Sequence, residues 1–95
     1  MEIKISELSQ VCTKLFLHLQ ELGIETIEIS EDFYWNIPKG EVYNPYQRPT
    51  QLDLGQLSGD WNDLIKVLIN EKEPYANGLV DLAPILRAIG EKVIV

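Results

Sequence analysis

The chain has 95 residues, 45% of them hydrophobic and 24% charged, with 15 acids against 8 bases for a net charge of −7. That bounds it to one ordinary globular domain, residues 1–95, too apolar for intrinsic disorder. The acidic balance argues against a nucleic-acid or anionic-membrane surface, because both need clustered Lys and Arg, and no apolar run approaches the roughly 20 residues that cross a bilayer.

The first element is a helix over Ser6–Leu22. Ile5, Leu8, Cys12, Leu15, Leu19 and Leu22 recur at alternating steps of three and four, which places them on one stripe. Ser6 is the expected N-cap and Gly23 the expected stop, while Leu17 points nearly opposite the stripe. The period then drops to two. Ile27, Ile29, Phe33, Trp35 and Ile37 alternate with polar residues, predicting two short strands broken at Ser30-Glu31-Asp32. In that alternation Phe33 and Trp35 face the core and Tyr34 faces solvent. Pro38-Lys39-Gly40 suits a β-turn with proline second. Residues 41–50 are irregular, since Pro45 and Pro49 exclude a helix interior and a central strand. Leu52 and Leu54 predict one more short strand.

A second helix is expected over Ser58–Glu71, capped by Ser58, with Trp61, Leu64, Ile65 and Leu68 inward and Asn62, Asp63, Lys66 and Asn70 outward. A third places Leu82, Ala83, Leu86 and Ile89 on one face. Asp81 as its N-cap leaves Pro84 where a missing N–H costs little, whereas a start at Asn77 buries Pro84 in the interior and demands a kink. Gly90 is the expected stop, and Val93-Ile94-Val95 either an edge strand or a tail. The expected fold is α+β: a long N-terminal helix, a small antiparallel sheet, and two C-terminal helices packed on it.

Reactive chemistry has little to stand on. Cys12 and His18 are the only thiol and imidazole. Six residues apart on a helix, they lie about 9 Å apart in rise and roughly 120° apart in direction, which excludes a dyad within one chain. They read as a core cysteine and a boundary histidine. Gly55-Gln56-Leu57-Ser58-Gly59 has the wrong spacing for a nucleophile elbow. One His and one Cys give no strong start to a zinc site, the calcium-loop pattern is absent, and the scattered glycines give little support to phosphate binding. Asp60 and Asp63, one helical turn apart, are a weak cation pair better read as a helix start and a solvated acid. Arg87 reads as a surface or ion-pair residue. No catalytic residue, metal ligand or cofactor is assigned.

Two irregularities remain. Glu21, Glu25, Glu28, Glu31 and Asp32 carry most of the net charge with no base among them. Phe33, Tyr34, Trp35, Tyr43 and Tyr46 cluster just after. Acids on a strand edge protect it from aggregation, and they also offer a landing surface to a basic protein. Tyrosine is enriched at interfaces. The candidate protein-binding residues are therefore Glu25, Glu28, Glu31, Asp32, Tyr34, Tyr43 and Tyr46.

Three segments, Tyr34-Trp35-Asn36-Ile37-Pro38, Gly55-Gln56-Leu57-Ser58-Gly59-Asp60-Trp61 and Ile85-Leu86-Arg87-Ala88-Ile89-Gly90-Glu91, resemble those of a family of small bacterial proteins without an established activity. The resemblance spans roughly the last two thirds of the chain. It implies a bacterial, cytoplasmic, single-domain protein and carries over no functional residue. The lack of a signal-peptide pattern at the start and the lone cysteine are consistent with a cytoplasmic setting. The leading expectation is a non-enzymatic acidic interaction module, an adaptor or neutraliser of a basic partner. The alternatives are a homo-oligomeric structural protein, built through Leu17, the Tyr-rich loop and the C-terminal tail, and a small enzyme or ligand binder using Glu31, Asp32, Asp60 or Asp63 near Tyr34.

Overall fold

A computed structural model describes residues 1–94; Val95, with its share of the expected tail, lies outside them. The order is α1 (Ile5–Glu21), β1 (Phe33–Asn36), β2 (Asp53–Gln56), α2 (Leu57–Leu68) and α3 (Gly78–Val93). This is the expected α+β arrangement of one N-terminal helix, a small antiparallel sheet and two C-terminal helices.

α1 starts one residue before expectation, with Lys4 at the cap position, so Ser6 is a helical residue and makes no cap. Its end is as expected. Gly23, at φ +83°, takes the left-handed conformation that L side chains resist. Its N–H reaches the Gln20 carbonyl at 2.9 Å, and the Ile24 N–H reaches the Leu19 carbonyl at 3.0 Å. That bond pair is a Schellman motif, and Leu19 and Ile24, whose side chains meet in such caps, are both half-buried. α2 closes the same way. Asn70, at φ +62°, occupies the left-handed position, and the Asn70 and Glu71 N–H groups bond the Val67 and Lys66 carbonyls at 3.2 and 2.9 Å. Asn70 is thus the helix terminator, not part of a wet helical face, and α2 stops at Leu68.

β1 and β2 pair antiparallel, with Phe33 opposite Gln56, Tyr34 opposite Gly55, Trp35 opposite Leu54 and Asn36 opposite Asp53. The first of the two expected strands is missing: residues 24–30 pair with no strand, so their alternation builds no sheet. Between the strands the loop turns twice. The Glu41 N–H bonds the Pro38 carbonyl at 2.9 Å, so proline opens that turn one residue earlier in the pattern than expected. Glu41 then closes the loop by accepting from the Thr50 N–H at 3.1 Å and from the Thr50 hydroxyl.

The strand's two faces are the reverse of expectation. Phe33 and Trp35 are 61% and 69% exposed, while Tyr34 is half-buried. Tyr34 lies flat over Gly55, where a Cβ would fall inside its ring, and its hydroxyl donates to Asp60 Oδ2 at 2.6 Å. The empty space at glycine and a hydrogen-bond partner on α2 together select which face turns inward.

α3 starts at Gly78, with Asn77 at the cap position, so Pro84 does sit inside the helix. Asp81 is therefore a helical residue and not the cap, and its carboxylate accepts the Tyr75 hydroxyl at 3.0 Å. Gly78 fits beneath the Tyr75 ring, where a side chain's Cβ would lie only 3.3 Å from Cζ. α3 also runs past Gly90 to Val93, and Ile94 leaves it as extended chain. α2 and α3 make the helix–helix contact. Its centre is Ile85, 7% exposed, flanked by half-buried Leu82 and Ile89. Ala83 and Leu86 lie outside it, as do Trp61 and Leu68 of α2, all expected inward. α1 makes no extensive contact with any other element, and its whole apolar stripe is exposed except half-buried Cys12 and Leu19.

Candidate functional site

The acidic segment ends at a helix. Asp32 reaches the N-terminus of α2 from 26 residues away. Its Oδ1 accepts the Ser58 N–H at 2.8 Å, and its Oδ2 accepts the Ser58 hydroxyl at 3.0 Å and the Gln56 amide at 2.9 Å. The Leu57 N–H bonds the Asp32 carbonyl at 2.7 Å. A remote carboxylate therefore supplies the cap that Ser58 was expected to make, and Ser58 donates to it. The Ser58 N–H, then the Gln56 and Ser58 side chains, hold the Asp32 carboxyl below the ordinary aspartate range.

Glu31 faces the other way. Its carboxylate lies 3.8 Å from Lys92 Nζ near the end of α3. A backbone N–H, then Lys92, keep it below the ordinary glutamate range. Tyr34 is pushed up to about 12 by burial first and by its bond to Asp60 second. It stays a protonated donor across the physiological range. Tyr75 is raised for the same two kinds of reason, with Asp81 as partner. Arg87 pairs with Glu91 at 2.7 Å, as its expected role implies.

These contacts sort the seven candidate residues. Asp32 and Tyr34 are tied into the fold. Glu31, Tyr34 and Tyr43 line one groove, about 1410 Å³, between β1 and α3. Tyr43 is 90% exposed there. Tyr46, 96% exposed, lines a separate hollow of about 380 Å³ formed by its own loop. Glu25 and Glu28 are exposed on the segment joining α1 to β1 and line neither space.

The groove is the larger feature, and its lining is mainly apolar. Phe33, Trp35 and Ile37 form one wall, and Leu79, Val80 and Ala83 of α3 form the other, with Lys39 and the Arg87–Glu91 and Lys92–Glu31 pairs around it. Sequence reasoning missed it because Phe33 and Trp35 were assigned to the core. The available signal was Gly55: a glycine facing one strand residue leaves a seat for a ring, and Tyr34 takes it.

The carboxylates do not converge on a cation site. Among the described residues, no three or more His, Cys, Asp or Glu side chains are grouped to hold a metal ion. Asp60 and Asp81 instead accept tyrosine hydroxyls, and Asp63 lies 3.8 Å from Lys66. Cys12 and His18 stay apart on α1. Among the described residues, no helix is long and apolar enough to cross a membrane. No protein-family model, curated protein or solved structure matches the chain.

Proposed function

We propose that this chain is a non-enzymatic protein-interaction module that completes its fold by burying apolar surface against a protein partner. The observation that carries the reading is the exposure of its hydrophobic residues. Among the described hydrophobic side chains Ile85 alone is buried, while two of the faces that sequence patterning marks as apolar, most of the α1 stripe and the Phe33/Trp35 face of β1, lie open. The accessible surface is 8494 Å², against about 5,600 Å² for a compact monomer of this 10.9 kDa mass. Exposed apolar area on this scale marks an interaction surface.

The geometry favours an apolar contact over a purely acidic one. Of the acids in residues 21–32, Asp32 is spent on capping α2 and Glu31 faces Lys92. That leaves Glu21, Glu25 and Glu28 as solvated acids, and a basic partner would find only a thin acidic patch. The test combines light scattering with binding of a hydrophobic dye to the purified chain. The reading expects either self-assembly or a single chain that binds the dye strongly. A dye-free single chain at high concentration, unfolding cooperatively, overturns it.

A further inference from the structure

We propose that the groove between β1 and α3 receives α1 of a second copy of this chain, so that two copies exchange their N-terminal helices about a two-fold axis. This rests on the module reading above and names its partner.

The chain carries two unpartnered apolar faces of matched form. One is convex: the α1 stripe through Leu8, Leu15 and Leu22, with Ile5 at its start. The other is the concave groove. α1 has 17 residues and α3 has 16, so each is about 25 Å long and the stripe can lie along the full wall. On that wall Ala83 and Ala88 are small enough for a second helix to approach at the 8–10 Å spacing of packed helices.

The connection explains why the visiting helix belongs to another copy. At its start, the Gly23 cap fixes how the chain leaves α1. At its end, Asp32 is pinned to α2 by its carbonyl and by both carboxylate oxygens. Between them Ile24, Ile27 and Ile29 are half-buried. No residue of α1 lines the groove of its own chain, so the tethered helix lies outside that seat, the arrangement that makes exchange between identical chains a low-cost route to a dimer.

The area agrees. The surface in excess of a compact monomer is roughly 2,900 Å² per chain, and obligate dimers bury about 2,000–5,000 Å² or more in total. Two copies that each cover a stripe and a groove reach that class.

The experiment uses the full chain and its native thiol. Cys12 lies on the docking stripe. Four variants, Leu79→Cys, Ala83→Cys, Arg87→Cys and Glu91→Cys, step along the groove wall at one-turn intervals, so that one lies within about a turn of Cys12 wherever the two helices overlap along most of their length. Each is treated with a short bismaleimide, beside the unmodified chain and Cys12→Ser controls. Exchange predicts twice the chain mass by light scattering and a dimer linked through residue 12 and a groove position, absent from the controls. It also predicts that Leu15→Asp weakens association at least ~100-fold while the amides of α2 and α3 stay protected from exchange. A link formed within one chain shows α1 closing on its own groove and overturns both readings. A dimer in which residue 12 never links to the groove overturns the exchange and leaves the module reading standing. An unlinked single chain that still binds the hydrophobic dye does the same.

Discussion

Asp32 shows how one side chain joins distant parts of this molecule. Its carboxylate takes the place of a local N-cap, and its position before β1 ties the sheet to α2. The three donors around it hold the charged form, so its folded-state pKa lies below the unfolded value of about 3.9. A depressed carboxyl pKa contributes stability that is present above the unfolded value and lost as pH falls through the folded one. Thermal melts should therefore weaken below about pH 4 in the native chain. Asp32→Asn should melt lower at neutral pH and show a flatter acid limb. Equal slopes in both proteins would remove the cap from the account. None of this was legible in sequence, because a cap supplied from 26 residues away leaves no local pattern. Ser58 was visible as a capping residue type, and the structure assigns it the donor's role instead. Tyr34 and Gly55 form the second such pair. A methyl group at position 55 would occupy the tyrosine ring, so Gly55→Ala should expel it, break the bond to Asp60 and cost about 3 kcal/mol in urea unfolding. The same change in a Tyr34→Ala background should cost much less, since the clash is gone. Additive costs would mean that the two positions do not meet.

Periodicity located the elements well and their facing poorly. α1, α2 and α3 fall within a few residues of the expected ranges, because a run of apolar residues at steps of three and four has no other regular solution. The strand over Phe33–Asn36 was equally visible, but a period of two fixes alternation and leaves open which phase is buried. Strand residues at 27 and 29 were wrongly expected because alternation does not reveal whether a partner strand exists. In α3 the stripe chosen from Leu82, Ala83, Leu86 and Ile89 missed Ile85, which α2 selects by packing against it. α1 has a consequence at this scale. A 17-residue helix without tertiary cover is marginal in water. Its amide protons should exchange rapidly in dilute protein and become protected as concentration rises. Those of α2 and α3, packed on each other, should change far less. Gly23→Ala should abolish the difference in part, by costing α1 about 1 kcal/mol at its left-handed end residue. Protection of α1 that is independent of concentration would show that it is covered within its own chain.

At the scale of the whole molecule, charge and apolar surface act in opposite directions. The radius of gyration is 15.2 Å, against about 12 Å for a compact chain of this length. Apolar area left outside a core favours association, while a net charge of −7 on each copy opposes it. The first term is contact-ranged and insensitive to salt, and the second is screened within a Debye length of about 10 Å at 0.1 M salt. Raising salt should therefore strengthen assembly, whereas docking of the acidic segment on a basic partner would weaken. Under the proposed exchange only the assembled form buries the helix stripe, so stability should also depend on protein concentration by mass action. Melting the native chain over a hundredfold concentration range should raise Tm steadily, and the rise should grow with added salt. Leu15→Asp, which places a charge in the middle of the stripe, should melt low and at one temperature throughout. A native Tm that ignores both concentration and salt would mean that the exposed stripe and groove stabilise nothing, and the molecule's open form would have to be explained without a second chain.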